Sequence, residues 1–87
     1  MRLPRQTVVK GKNLIGAHLR SIRQACRPKV TLEDLSGRLA ARGLFLDRTT
    51  LGRIERQERS VFDFELVVLA RALRISPLVL LGLVEKK

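Results

Sequence analysis

The cationic side chains of residues 47–56 are the ones whose type and spacing most clearly suggest a chemistry. Leu51 and Ile54 recur at helical spacing and predict the buried face of a short helix, for which Asp47 is the expected N-cap. The outward positions are then Arg48, Thr49, Gly52, Arg53 and Arg56. Arginine reads guanine with two parallel hydrogen bonds, and the threonine methyl group contacts thymine. A convex helix with this face fits a major groove about 12 Å wide. The alternative is a helix face that is only solvated.

The charge of the whole chain also points to an anionic partner. Its 87 residues carry 18 Lys and Arg against 8 Asp and Glu, a formal net charge of +10 at pH 7. Solubility alone does not need such an excess in so small a chain. Thirteen of the cations are arginines, whose planar fork matches phosphate and guanine. Double-stranded DNA is therefore favoured over single strands, because the chain has only three aromatic residues for base stacking.

Length and composition disfavour several other classes. The chain is long enough for one small domain. Cys26 is the single cysteine and His18 the single histidine, so we expect neither an internal disulfide nor a four-ligand zinc site. We expect no catalytic residues, metal, cofactor or small-molecule ligand, and no enzymatic activity.

The apolar segments predict no membrane association. The longest apolar run, residues 78–84, is far shorter than the roughly 20 residues that span a bilayer. No secretory signal is recognisable at the N-terminus. The expected location is the cytoplasm, in a bacterial or phage setting and associated with the nucleoid.

The pattern of apolar residues predicts an all-α fold with five helices, because no segment alternates as a half-buried strand does. Residues 1–12 are expected to form a basic flexible arm, and residues 13–87 the folded domain. Asn13 is the expected cap of helix one, which ends by Arg27. Helix two should cover about 32–42 and helix three about 48–56. Helix four should open near 60–63, and helix five should cover about 77–84.

Residues at the ends of these helices support the assignment. Thr31 and Asp34 are spaced almost as a capping box at the start of helix two. Gly43 offers the left-handed conformation that ends it. Ser76 followed by Pro77 is an N-cap with proline at the first helical position.

Helices two and three together resemble a helix-turn-helix. The residues that carry the resemblance are Leu35, Ser36 and Leu39, followed after a turn by Asp47, Thr50, Leu51, Gly52, Ile54 and Glu55. This pattern is similar to that of the lambda-repressor-like (Cro/CI-type, XRE-family) DNA-binding domains. The segments RSVFDFEL, residues 59–66, and LARALRISPLVLL, residues 69–81, strengthen the likeness. The fold that it implies is a five-helix lambda-repressor-like bundle, here with a lengthened turn between helices two and three.

The resemblance implies a function and a set of contacts. The function is sequence-specific binding of double-stranded DNA by a small transcriptional regulator, a repressor that occupies its operator. The implied base contacts are Arg48, Thr49 and Arg53. The implied backbone contacts are Thr31, Arg56, Arg59, Lys10 and Lys12. The family also has a partly buried ion pair at the positions of Arg23 and Glu55. Gln57 and Arg74 stand where the family usually has glycine, and a positive φ at either residue would have a small cost.

Two questions stay open at this point. The apolar residues near the C-terminus are either wholly packed or form a homodimer seam through Val79 and Leu83. The bundle could also serve as a protein-interaction module, such as an antitoxin-like partner or an adaptor. A third reading is a nonspecific RNA or nucleoid binder driven by net charge alone.

Overall fold

The computed structural model describes residues 11–84, and its regular secondary structure is entirely helical. The helices are α1 Gly16–Ala25, α2 Leu32–Ala40, α3 Arg48–Glu55, α4 Asp63–Ala72 and α5 Pro77–Leu80. No strand occurs between residues 11 and 84, so the all-α prediction is confirmed for this part of the chain. Lys10 and the rest of residues 1–10 lie outside the described residues.

Side-chain caps set the starts of three helices as the sequence predicts. Thr31 Oγ1 accepts from the Asp34 amide and Asp34 Oδ2 accepts from the Thr31 amide, both at 3.0 Å, which completes the capping box. Asp47 Oδ1 accepts from the Thr50 amide at 2.8 Å. Ser76 Oγ accepts from the Leu78 amide at 3.1 Å, with Pro77 at the first helical position. These bonds satisfy amides that have no partner inside the helix.

Three predicted helix boundaries were wrong. α1 begins at Gly16 with Ile15 at the N-cap, because Asn13 forms a separate turn in which its side chain accepts from the Ile15 and Gly16 amides. α2 ends at Ala40, two residues early, ahead of Gly43 at φ 85°. α5 ends at Leu80 because the chain turns at Gly82, whose φ is 77°.

The helices enclose one apolar core. α2 packs against α3 and α4, α1 packs against α3 and α5, and α4 packs against α5. The largest fully buried side chains are Leu19, Leu35, Leu39, Leu51, Ile54, Leu69 and Leu80. Every helix therefore contributes at least one leucine or isoleucine to the centre of the bundle. Burial of these side chains is the main favourable contribution to folding.

Within residues 11–84, two residues other than glycine adopt the left-handed backbone conformation, and both stand where the family usually has glycine. Gln57, after α3, has φ 61°, and Arg74, after α4, has φ 59°. Each follows a helix end, where a left-handed residue directs backbone amides to the last carbonyl groups. The Glu58 amide accordingly donates to the Arg53 carbonyl at 2.8 Å, and the Ile75 amide to the Ala70 carbonyl at 3.0 Å.

A buried carboxylate stabilises the start of α4. Burial by itself would raise the pKa of Glu65, but hydrogen bonds from Arg59 and from the Phe62 amide outweigh it and lower the pKa. Arg59 Nη1 and Nη2 donate to the two Glu65 oxygens at 3.0 and 3.1 Å. The pKa values of Asp34 and Asp47 are lowered too, chiefly by the backbone amides that they accept from.

These three lowered pKa values predict acid destabilisation. A carboxyl group whose pKa is lower in the folded state contributes stability that is complete above its unfolded pKa and is lost as the pH falls through the folded value. We expect the thermal midpoint to be constant from neutral pH to about pH 5 and to fall below about pH 4. Glu65→Gln should weaken that fall. A midpoint that did not change in the acid range would rule out the assignment.

Candidate nucleic-acid interface

The exposed side of α3 carries positive charge and hydroxyl groups. Arg48, Thr49 and Arg53 are exposed, whereas Leu51 and Ile54 are completely buried. Arg56, the residue after the helix, is exposed as well. The helix has one acidic residue, Glu55, and its side chain is only 7% exposed. The solvent-facing side of α3 is therefore cationic.

Gly52 does not belong to this exposed face, contrary to the sequence-based prediction. The residue is buried, and a Cβ placed on it would lie 3.2 Å from Arg56 Nη1 and 3.9 Å from Leu32 Cδ1. The glycine thus points toward α2 and the end of α3. The one close neighbour of that Cβ is the end of a flexible, largely exposed arginine side chain.

Gly52→Ala should therefore stabilise the protein. Alanine favours a helix interior over glycine by about 0.5–1 kcal/mol, and Arg56 can move its guanidinium into solvent. The free energy of unfolding, measured in urea, should rise by about that amount. A fall would show that Arg56 is held in place and that the Cβ is not accommodated.

The connection between α2 and α3 fixes where α3 begins. It comprises residues 41–47. Ser36 Oγ on α2 donates to the Leu46 carbonyl at 2.7 Å, and the Leu46 side chain is buried. Asp47 then caps α3. The hydroxyl group of Ser36 thus ties the connection to α2. Ser36 and Asp47 thus place Arg48 and Thr49 at the first turn of α3.

An ion pair holds the other end of α3. Arg23 Nε lies 2.8 Å from Glu55 Oε2, and Arg23 Nη2 lies 3.0 Å from Glu55 Oε1. Arg23 Nη1 also donates to the Val30 carbonyl at 3.0 Å. The side chains are 10% and 7% exposed. The structure thus brings together the two residues that the resemblance had paired, and the pair links α1 to the end of α3.

Asn13 adds a second link at the same end of α3. Its Nδ2 donates to the Ile54 carbonyl at 3.0 Å and to the Arg59 carbonyl at 2.9 Å. Gly16 permits the close approach, because a Cβ there would lie 2.5 Å from the Ile54 carbonyl oxygen. Neither role was predicted from the sequence. The only signal was the pair of residues itself, an asparagine and, three positions later, the glycine with which α1 starts.

The arginines of the exposed face are only loosely engaged within the protein. Arg48 Nη1 lies 3.6 Å from Glu33 Oε1, and Arg56 Nε lies 3.2 Å from Glu58 Oε2. All four side chains are at least half exposed, and such pairs contribute little. Arg53 forms no ion pair with any residue of 11–84. All three guanidinium groups are therefore available to an external anion at small cost.

The remaining predicted backbone contacts are more scattered. Thr31, at the N-cap of α2, is exposed. Lys12 is exposed, and its amide donates to the Gln57 carbonyl at 2.9 Å. Arg59 is bound through two nitrogens to the buried Glu65, a pairing across six residues that was not predicted from the sequence. Lys10 lies outside the described residues.

Comparison with known proteins adds no relative. No family model, no curated protein and no solved structure matches this chain. Within residues 11–84, no helix is both long enough and apolar enough to cross a membrane, and no three potential metal ligands from His, Cys, Asp and Glu come together. A functional proposal therefore depends on the residues of the chain itself.

The suggested dimer seam lies on another part of the bundle. Val79 and Leu83 are half-buried and line a cavity of about 330 Å³ between α1 and the C-terminal residues. The same cavity is lined by His18 and Ile22 of α1. Leu80, between them, is completely buried in the core. The two candidate residues thus remain accessible at the surface, although neither is fully exposed.

Proposed function

We propose that this protein binds double-stranded DNA at specific sequences, with α3 in the major groove, and that it acts as a small transcriptional regulator that represses by occupying its site. The observation that carries the proposal is the exposed cationic face of α3 on a helix held at both ends. α2 and α3, joined by residues 41–47, would form the helix-turn-helix that the sequence resembles.

In this proposal, base contacts and phosphate contacts have different sources. Arg48, Thr49 and Arg53 reach base edges, where bidentate arginine selects guanine and a threonine methyl group selects thymine. Thr31, Arg56, Arg59 and Lys12, together with Lys10, contact phosphates and fix the register. Arg59 would keep its bond to Glu65 and offer the phosphate only its remaining N–H groups.

Selection from a random duplex library tests the proposal most broadly. The full chain is incubated with the library at physiological salt, and bound duplexes are amplified and sequenced over several rounds. We expect enrichment of one short motif that contains guanines. Enrichment of no motif at any salt concentration would favour the nonspecific RNA or nucleoid binder over this function.

We further propose that the protein binds as a homodimer through Val79 and Leu83. Paired recognition helices would lie roughly 34 Å apart and require a near-palindromic site. Val79→Asn with Leu83→Asn should weaken binding to that site and leave binding to a half-site duplex unchanged, as measured by fluorescence anisotropy. The unfolding midpoint serves as the control. If the variant retained its affinity for the full site, the dimer would be refuted. If the variant unfolded, both residues would belong to the core.

A further inference from the structure

A groove with four arginines lies apart from α3. Its volume is about 860 Å³, and it is bounded by the C-terminal ends of α1, α2 and α4. Arg27, Arg38, Arg42 and Arg74 form its polar part. Its accessible apolar part consists of Ala25, Cys26, Pro28 and Ala41, which lie over the buried Val30, Ala72 and Leu73. α3 contributes no residue to it.

The helix ends explain some, but not all, of this charge. The last carbonyl groups of a helix lack partners and carry partial negative charge. Arg38 Nη1 donates to the Ala72 carbonyl at 3.1 Å, and Arg27 Nη1 to the Cys26 carbonyl at 3.2 Å. Arg27 Nη1 also donates to the Gln24 carbonyl at 3.4 Å, and Arg42 Nη2 to the Arg71 carbonyl at 3.5 Å. Each guanidinium has five N–H donors, so most of these donors have no partner among residues 11–84.

Among residues 11–84, no acidic residue lines the groove. Within 11–84, none of the four arginines lies within 4.0 Å of a carboxylate oxygen. The nearest acid along α2, Asp34, precedes Arg38 by one turn, and its carboxylate accepts from the Thr31 amide. The four arginines thus form a concentrated positive site.

We infer that this groove binds an acidic segment of a protein partner, with carboxylates on the arginines and apolar side chains on the apolar part. A protein segment fits better than a nucleic acid for two reasons. The surface is concave, whereas duplex DNA is itself grooved and is read by convex elements. The apolar part would be buried by leucine or valine side chains but has no counterpart in a phosphate backbone. The inference goes beyond the proposed DNA binding.

A displayed library of random short peptides, selected on the full chain, tests the inference. We expect the enriched peptides to combine Asp or Glu with apolar residues. The strongest binder is then synthesised with a fluorescent label, together with a counterpart in which every Asp is Asn and every Glu is Gln. The acidic peptide should bind and its amide counterpart should not.

Matched variants distinguish the groove from general attraction to a cationic protein. The double variant Arg42→Gln, Arg74→Gln should lower the affinity for the acidic peptide about tenfold or more, because charge-assisted hydrogen bonds are lost. Arg20→Gln with Arg71→Gln removes the same charge from two exposed residues that do not line the groove, and it should leave peptide affinity nearly unchanged. Ala41→Glu, which adds a carboxylate to the groove wall, should also abolish peptide binding. Circular dichroism confirms that each variant is folded.

The outcomes are separable from those of DNA binding. Selection of peptides without acidic residues, or equal losses in the two arginine pairs, would overturn the inference. The inference would also be overturned if no peptide were selected and the double variant Arg42→Gln, Arg74→Gln lost affinity for duplex DNA. That result would assign the groove to nucleic acid. If the same double variant loses peptide binding and keeps its affinity for duplex DNA, the inference is supported, whether or not α3 reads bases.

Discussion

Glu55→Ala should lower the free energy of unfolding by roughly 3–5 kcal/mol. The substitution leaves the Arg23 guanidinium, whose side chain is 10% exposed, without its carboxylate. Two of its nitrogens lose partners at 2.8 and 3.0 Å, and only the bond to the Val30 carbonyl remains. A buried charge without a partner is among the most costly defects in a folded protein. Urea unfolding followed by circular dichroism measures the loss.

Glu58→Ala is the matched control for this prediction. Glu58 pairs with Arg56 at 3.2 Å, but the side chains are 52% and 60% exposed. Its removal should cost at most about 1 kcal/mol, as for other exposed pairs. Equal losses in Glu55→Ala and Glu58→Ala would show that the Arg23–Glu55 pair behaves as a surface pair and does not anchor α3.

The local signals in the sequence were sufficient for much of the fold. Asp47 and Ser76 have short polar side chains directly before an apolar helical pattern, and both cap the helices that follow. Capping acts over three residues, so a linear sequence contains all the information that it needs. Leu51 and Ile54 are similar, because their helical spacing alone shows that they share a buried face.

The contacts between distant residues could not be derived in this way. Asn13 bonds to the Ile54 carbonyl, 41 residues away, and no spacing rule links two such positions. The Arg23–Glu55 pair entered only through the family resemblance. The prediction that Gly52 lies on the exposed face was wrong for a related reason. Gly52 is buried, and Leu32 and Arg56 lie next to it. These placements depend on how the helices pack rather than on any local pattern.

Arg48→Ala and Arg53→Ala should each weaken binding to the selected DNA site by about 1–3 kcal/mol, as expected when a bidentate guanine contact is lost. Each should also relax the base preference at one or two positions. Arg53 is the cleaner test, because it forms no ion pair with another residue of 11–84, whereas Arg48 lies 3.6 Å from Glu33. Thr49→Ala should have a smaller effect, because it removes only a methyl contact.

Arg71→Ala controls for charge in these measurements. Arg71 is exposed on α4, outside the proposed interface, and its replacement removes the same unit of charge. Replacement of a residue that contacts only phosphate, such as Lys12, should lower the affinity for all DNA sequences alike. It should also reduce the slope of log affinity against log salt by about one. The two kinds of contact are therefore distinguishable on the same duplexes.

The ratio of specific to nonspecific affinity for Arg53→Ala tests the central claim most directly. The dissociation constants of the wild-type protein and the variant are measured on the selected duplex and on a scrambled duplex of the same composition, at one salt concentration. If α3 reads bases, the ratio falls by about tenfold or more, while Arg71→Ala leaves it unchanged. If Arg53→Ala lowers the affinity for both duplexes by the same factor, Arg53 contacts only phosphate, and α3 is not the element that reads the sequence.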